Sequence, residues 1–178
     1  MRLRETEESD LADVLQIHAR AFGQQDEAEL VSALLADPSA QPALSLIALS
    51  DTRPVGHILF STARLTEPEN GHPLVILAPL AVVPEAQGRG IGGELIATAE
   101  RHLTQTGVSL VFVLGYPQYY SRHEFEPAAK YGLLAPYPIA PEHTDAWMVR
   151  ALRPGLLGAV QGTVMCAEAL NKPEYWCE

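Results

Sequence analysis

Cysteine is scarce. Cys166 and Cys177 are the only two in 178 residues, and neither lies in a CxxC or Cys/His spacing that holds a metal. No disulfide framework and no metal are therefore expected, and two free thiols suit a reducing cytoplasm. Cations are outnumbered: 12 Lys and Arg stand against 22 Asp and Glu, a formal net charge of -10. A nucleic-acid duplex is gripped through a basic footprint that releases counterions, so no nucleic-acid partner is expected. The acidity mildly favours cationic small molecules or peptides instead. Long apolar runs are missing as well. The longest, Leu74 to Val83, is broken by Pro79 and falls well short of the roughly 20 residues of a membrane helix. Met1-Arg2-Leu3-Arg4-Glu5 contains no signal-peptide core, so no membrane is expected. No G-K-[ST] is present, which excludes a Walker loop, and no GxSxG, which excludes a nucleophile elbow. Cys166 sits among Val164, Met165 and Ala167 and reads as a small core hydrophobe, so no covalent enzyme intermediate is expected.

What remains is an ordinary globular composition, 47% hydrophobic and 19% charged. No repeat or linker divides it. We expect one domain over residues 1–178, with 153–178 as a C-terminal extension packed on it. Arg2 to Thr6 reads as a first strand, and Ser9 or Asp10 as the cap of a helix that ends at Gly23. Leu11, Val14, Leu15, His18, Ala21 and Phe22 mark its buried face. A second helix runs from about Asp26 to Ala36, with Leu30, Val31, Leu34 and Leu35 inward. Leu44 to Ser50 and Val55 to Leu65 form a hairpin about Asp51-Thr52-Arg53-Pro54. Leu74 to Val83 and Val108 to Leu114 are nearly all apolar, as strands buried on both faces are. A helix from about Gly90 to Thr106 joins them, with Ile91, Leu95, Ala99 and Leu103 as its inner stripe, so the two strands should be parallel. Pro79 cannot donate within a ladder, so a bulge or splay is expected there. Pro117 to His123 reads as a short helix, Asp145 to Leu152 as a strand, and Gly162 to Ala167 as a short edge strand.

The chemistry-bearing segment is Pro84-Glu85-Ala86-Gln87-Gly88-Arg89-Gly90-Ile91-Gly92-Gly93, where a buried strand turns into a helix. Glycines let a ligand approach the backbone, and a helix N-terminus offers free N–H groups and partial positive charge, so the turn is an anion site, most plausibly for phosphate. Gly88, Gly90 and Gly93 satisfy G-x-G-x-x-G. The acidic residue that a dinucleotide site needs about 20 positions on is absent, and Val113, Leu114 and Gly115 stand there. A nicotinamide or flavin enzyme is thus a rival reading, and a purely structural glycine turn another.

Gln87-Gly88-Arg89-Gly90-Ile91-Gly92 also matches Q/R-x-x-G-x-G/A. With Leu80-Ala81-Val82 before it, this resembles the pyrophosphate-binding motif of the GNAT superfamily of acetyl-CoA-dependent N-acetyltransferases. Leu77 to Val82, Leu114 to Arg122 and Leu152-Arg153-Pro154-Gly155 resemble its YhbS-like branch. The resemblance implies an α/β fold: a mixed, mostly antiparallel sheet flanked by helices, with one splayed parallel strand pair. It implies acetyl-CoA as cosubstrate, held by Leu80, Ala81, Val82, Gln87, Gly88, Arg89, Gly90, Gly92 and Gly93. It implies direct acetyl transfer to a primary amine of unknown identity. Tyr119-Tyr120-Ser121-Arg122-His123-Glu124-Phe125 is similar to the family pattern [FY]-Y-x-[KR]-x-G-F, which gives Tyr120 the role of acid toward the leaving thiolate. Glu124 stands where the family has glycine, and Leu114-Gly115 where it commonly has asparagine. A non-catalytic acyl-CoA sensor of the same fold is the alternative. Glu27 and Glu29, in the helix whose loop borders the acceptor site in this fold, and Glu67, Glu69 and His72, before the buried strand, are candidate bases, each read first as solvated surface charge. His57 in a strand reads first as structural. The apolar tail with Trp176 offers a surface for a homodimer.

Overall fold

Aliphatic, β-rich runs pair into one sheet, as a computed structural model shows; it describes residues 1–66 and 71–177. The strands are β1 (Arg2–Glu5), β2 (Leu44–Ser50), β3 (Arg53–Leu65), β4 (Leu74–Val82), β5 (Leu110–Leu114), β6 (Glu126–Pro127), β7 (Leu133–Leu134), β8 (Trp147–Ala151) and β9 (Gly162–Met165). Their order is β1-β2-β3-β4-β5-β8-β6, with β9 bridging the end of β3 to β7. The sheet is mixed and mostly antiparallel, and β4–β5 is the splayed parallel pair within it. The helices are α1 (Leu11–Phe22), α2 (Asp26–Ala36), α3 (Ile91–Gln105) and α4 (Pro117–Tyr120). None of the described helices is long and apolar enough to cross a membrane.

Alternation along β3 assigns the helices to opposite faces. His57 meets His18 of α1 on one side. Gly56 faces α3 on the other, where a Cβ would meet Ile91 and Leu95 side-chain carbons, both at 3.2 Å. That glycine is a packing requirement: it lets α3 lie close on the sheet.

Two expectations for α1 need correction. Its buried stripe is Val14, Ile17 and His18, while Leu11 and Phe22 are 40% and 44% exposed. Ile17 completes the i, i+3, i+4 face, and the two terminal residues fall off its edge. Asp10 precedes α1 but does not cap it with its side chain. Its carboxylate accepts from Glu7 N at 2.7 Å, closing the preceding 3-10 turn, and from both Arg4 Nη atoms at 2.7 and 2.9 Å. The guanidinium and that amide hold Asp10 at a pKa of about 2.

β4 carries the irregularity that Pro79 leads one to expect. Ile58 pairs with Leu80 and Phe60 with Leu77, so Ala78 and Pro79 together oppose Leu59. The parallel ladder to β5 extends only from Leu74↔Leu110 to Ile76↔Phe112. Beyond it the two strands part.

Past β5 the chain is mostly short strands and 3-10 turns, held by specific polar contacts. The turn at Glu168–Leu170 is anchored on the end of α2: Glu168 N donates to Ser39 Oγ and Ala169 N to Asp37 Oδ2, each at 2.9 Å. Trp176 is 2% exposed, stacks edge-on against Trp147 at 5.5 Å, and donates from Nε1 to Leu170 O at 3.0 Å. The tail's indole is therefore packed within its own chain.

Candidate active site

Where β4 and β5 diverge, a cleft of about 1480 Å³ opens between them and continues to the N-terminus of α3. One wall is main chain. Val83 N donates to Val55 O at 2.9 Å. Antiparallel alternation then directs the Ala81 amide toward β3 and those of Leu80 and Val82 into the gap. Leu80 and Val82 line the cleft, whereas Ala81 is 3% exposed and points into the core.

The glycine turn keeps its donors free. The first α3 amide with a backbone partner is Glu94 N, bonded to Gly90 O at 3.0 Å. Among the described residues no oxygen accepts from the amides of Gly88 to Gly93. Gly88 and Gly90 take φ of +77° and +78°, a region that L side chains enter at a cost of about 1 kcal/mol or more. A Cβ at either would meet nothing within 4 Å, so the turn is open on its outer side. An anion fits this arrangement, since several unpaired N–H groups converge at the positive end of a 15-residue helix.

The two side chains of the motif behave differently from its glycines. Gln87 lines the cleft, but its backbone N–H is bonded to Pro84 O and its side-chain amide to Val82 O, at 3.3 and 2.9 Å. It braces the turn against the end of β4. Arg89 is exposed and does not line the cleft.

α4 and the turn after it close the opposite side. Tyr120 is 9% exposed, its ring packed edge-on against Tyr119 at 5.0 Å and Phe125 at 5.5 Å. Gly115 makes room for that ring, since a Cβ there would collide with Tyr120 Cε2. This is a physical reason for glycine at the end of β5. No described residue hydrogen-bonds the Tyr120 hydroxyl, and Tyr120 lines the cleft. Burial and the adjacent Tyr119 raise its pKa, so the phenol stays neutral. Glu124 takes a left-handed conformation, at φ +67°. Its carboxylate accepts from Arg150 Nη2 at 3.0 Å.

Sequence reasoning left Tyr119 and His123 without a role. Tyr119 Oη lies where a Cβ of Gly92 would go, and His123 Cε1 is 2.9 Å from the Cβ position of Gly93. Both side chains cover the first turn of α3, and Arg122 stacks over the Tyr119 ring at 5.2 Å. Burial and Arg122 lower the His123 pKa. The two glycines thus make room for neighbouring rings, a signal that no local motif carries.

The far wall comes from distant segments. Phe22, Glu27 and Glu29 reach it from α1 and α2, and Lys172, Glu174 and Tyr175 from the tail. His72 does not line the cleft, and Glu67 and Glu69 lie outside the described residues. His57 is fully buried and structural. Its Nδ1 is 2.8 Å from His18 Nε2, its Nε2 2.8 Å from Ser45 Oγ, and Thr6 Oγ1 bonds Ser45 Oγ. His18 Nδ1 has no partner among the described residues. An orphan acceptor is less costly than an orphan N–H, so the hydrogens belong on His18 Nε2 and His57 Nε2. Burial pushes His18 to a pKa of about 4 and His57 well below its usual value, with His18 adding to the latter.

Residues 2–128 match the acetyltransferase (GNAT) domain family. The chain is 47% identical over 164 residues to the uncharacterized N-acetyltransferase YjhQ of Escherichia coli K12, covering 92% of this chain and 90% of that protein. It is 32% identical over 156 residues to the uncharacterized N-acetyltransferase YhbS of the same strain, covering 86% and 88%. The crystal structure of Escherichia coli YhbS in complex with CoA superposes with a TM-score of 0.85 at 29% identity, covering 96% of this chain and 92% of that one. A GNAT acetyltransferase of Brucella melitensis in complex with acetyl-CoA gives 0.75 at 30% identity, with 95% and 97% covered. The chain belongs to the GNAT acetyltransferase family.

Proposed function

We propose that this GNAT chain moves the acetyl group of acetyl-CoA to a primary amine by direct attack in a ternary complex. The observation that carries the reading is the row of unpartnered amides from Gly88 to Gly93, opening beside the gap between β4 and β5. A diphosphate matches those amides in charge and donor number. The pantetheine arm matches the gap, because its amides can pair with the free edge of β4 as an added strand. The relatives with CoA or acetyl-CoA support the donor's identity.

The residues then divide the chemistry. The neutral amine nitrogen attacks the thioester carbonyl carbon, and the Leu80 amide, directed into the gap, faces the oxygen that gains charge. The C–S bond breaks as the C–N bond is made. The amine nitrogen gives up a proton to solvent or a base, and Tyr120 supplies one to the departing sulfur. The Tyr120 hydroxyl is unpartnered and lines the cleft, which leaves it free to donate, while the burial that raises its pKa keeps it protonated and makes it the weaker acid. The rings of Tyr119 and Phe125 pack against the Tyr120 ring and hold it in place.

The test couples two measurements. Calorimetry should show acetyl-CoA binding to the purified chain, and thiol release from acetyl-CoA should depend on added amine. Binding without amine-dependent release would replace this reading with a sensor. NAD(H) or flavin binding in place of acetyl-CoA would overturn it.

A further inference from the structure

Resting on the acetyl-CoA reading of the cleft, we infer that the donor's diphosphate is held by the Arg122 side chain as well as by main-chain amides, with the Tyr119 ring as the platform that carries the guanidinium to the glycine turn. The amides match a diphosphate in sign and donor number but supply only part of its charge. A helix N-terminus is worth about half an elementary charge, whereas both phosphates of the diphosphate are ionised at neutral pH. The chain itself has a net charge of -10, so the balance falls to a nearby cation.

Position narrows the choice. Arg89, inside the motif, does not line the cleft. Arg20 of α1 does not line it either, and both Glu85 carboxylate oxygens already accept from its Nη2, at 2.8 and 2.7 Å. Arg122 is the one arginine among the described residues that lines the cleft. Lys172 of the tail and His143 of the turn before β8 line it too. Of the three, Arg122 is the one stacked on a ring that covers the first turn of α3: its guanidinium carbon is 5.2 Å from the Tyr119 ring centroid, and Tyr119 Oη stands at the Cβ position of Gly92. The missing Cβ of Gly92 thus lets Tyr119 close on α3 and bring Arg122 with it.

The charge of Arg122 is unspent. Arg122 forms no ion pair with a described residue, and the carboxylate of Glu124, two positions on, accepts from Arg150 Nη2 at 3.0 Å. His123 stands beside it, its ring 5.0 Å from that of Tyr119, and burial and Arg122 lower its pKa, so at neutral pH it adds no competing charge. A cation–π contact uses no hydrogen-bond acceptor, so the N–H groups of Arg122 remain for phosphate oxygens, whose geometry a guanidinium matches.

Calorimetry on the wild-type chain, Arg122→Gln, Arg122→Lys and Arg89→Gln tests this. Arg122 is exposed, so its variants should melt as the wild type does. Arg122→Gln is expected to weaken acetyl-CoA binding about tenfold, the scale of one charge-assisted hydrogen bond. Arg122→Lys should weaken it less, and Arg89→Gln by under about threefold. In thiol release the Arg122→Gln loss should fall on KM for acetyl-CoA, with kcat within about twofold. Dephospho-CoA keeps the diphosphate and lacks the 3′-phosphate, so Arg122→Gln should weaken it by the same factor as CoA. Unchanged affinity in Arg122→Gln, a larger loss in Arg89→Gln, or an Arg122→Lys protein as weak as Arg122→Gln would overturn the inference. A loss seen with CoA but not with dephospho-CoA would overturn it as well, by moving Arg122 to the 3′-phosphate. If the wild-type chain binds acetyl-CoA and Arg122→Gln binds it equally, only the role of Arg122 falls. If the wild-type chain does not bind acetyl-CoA, the reading of the cleft falls with it.

Discussion

The two walls of the cleft are built in opposite ways. The wall from Leu80 to Gly93 presents main-chain N–H groups, and its side chains either point away, as Ala81 does, or brace the turn, as Gln87 does. The facing wall presents side chains: Tyr120 from α4, Glu27 and Glu29 from α2, Glu174 from the tail. A main-chain wall needs glycines at fixed spacing, so it is written compactly in one stretch. A side-chain wall needs no local pattern, because its members come from segments more than 140 residues apart and meet only when the chain folds. A cosubstrate common to a family suits the first kind of wall, and an acceptor that differs between members suits the second.

Breaking the main-chain wall should have the largest effect. Gly90→Glu sets a carboxylate against the free amides, with open space around the new Cβ and an added backbone cost at φ +78°. Acetyl-CoA affinity is expected to fall more than about 100-fold by calorimetry, with the chain still folded by thermal melting. A folded Gly90→Glu protein with ordinary affinity would contradict the wall's role. On the facing wall, Tyr120→Phe should lower kcat by about 100-fold while acetyl-CoA binding changes by less than about threefold, the split expected of a proton donor. A matched loss of affinity would assign Tyr120 to packing instead.

The pair His18–His57 tests how that facing wall is supported, since α1 carries Phe22 stacked on His18, ring centroids 6.2 Å apart. Both histidines have folded pKa values below the unfolded one, so protonation favours the unfolded chain. Asp10 faces His57 and opposes this in part, and Arg4 is tied up by Asp10. Stability should be full above pH 6.5 and decline as pH falls from 6.5 toward 4, by an order of 3 kcal/mol for His18. Asp10 acts lower: its depressed pKa adds stability that is lost only between about 3.8 and 2. A melting temperature flat from pH 6.5 to 4.5 would contradict the buried neutral pair. The smallest effect is expected at the turn behind Tyr120. Glu124→Gly relieves a left-handed residue by about 1 kcal/mol and gives up an exposed ion pair worth about 0.5 kcal/mol. A rise in melting temperature of one or two degrees is expected; a clear fall would mean that the Arg150 contact holds the turn.

The periodic elements were legible because their signals are local. Alternation and apolar runs locate β2 to β5, and the 3.6-residue stripe locates α2 and α3 within a residue or two. Pro79 marks the bulge and Gly88-Arg89-Gly90 the turn with free amides, each through a backbone property that the residue type itself imposes. The misses have physical causes. Leu11 and Phe22 are apolar but lie off the edge of the α1 stripe, and composition does not distinguish them from Val14. β6 and β7, two residues each, are created by neighbours rather than by their own pattern. Tyr119 and His123 gain their places from the missing Cβ atoms of Gly92 and Gly93, on another element.

By itself, then, the amino-acid order determined the strand–turn–helix unit and its free amides, because backbone freedom and hydrogen-bonding capacity travel with each residue. Only the tertiary structure decided which distant side chains line the cleft with Tyr120. That depends on the parting of β4 from β5 and on Asp37 and Ser39 holding the tail across the cleft, and long-range contacts of this kind leave no period or spacing in the chain.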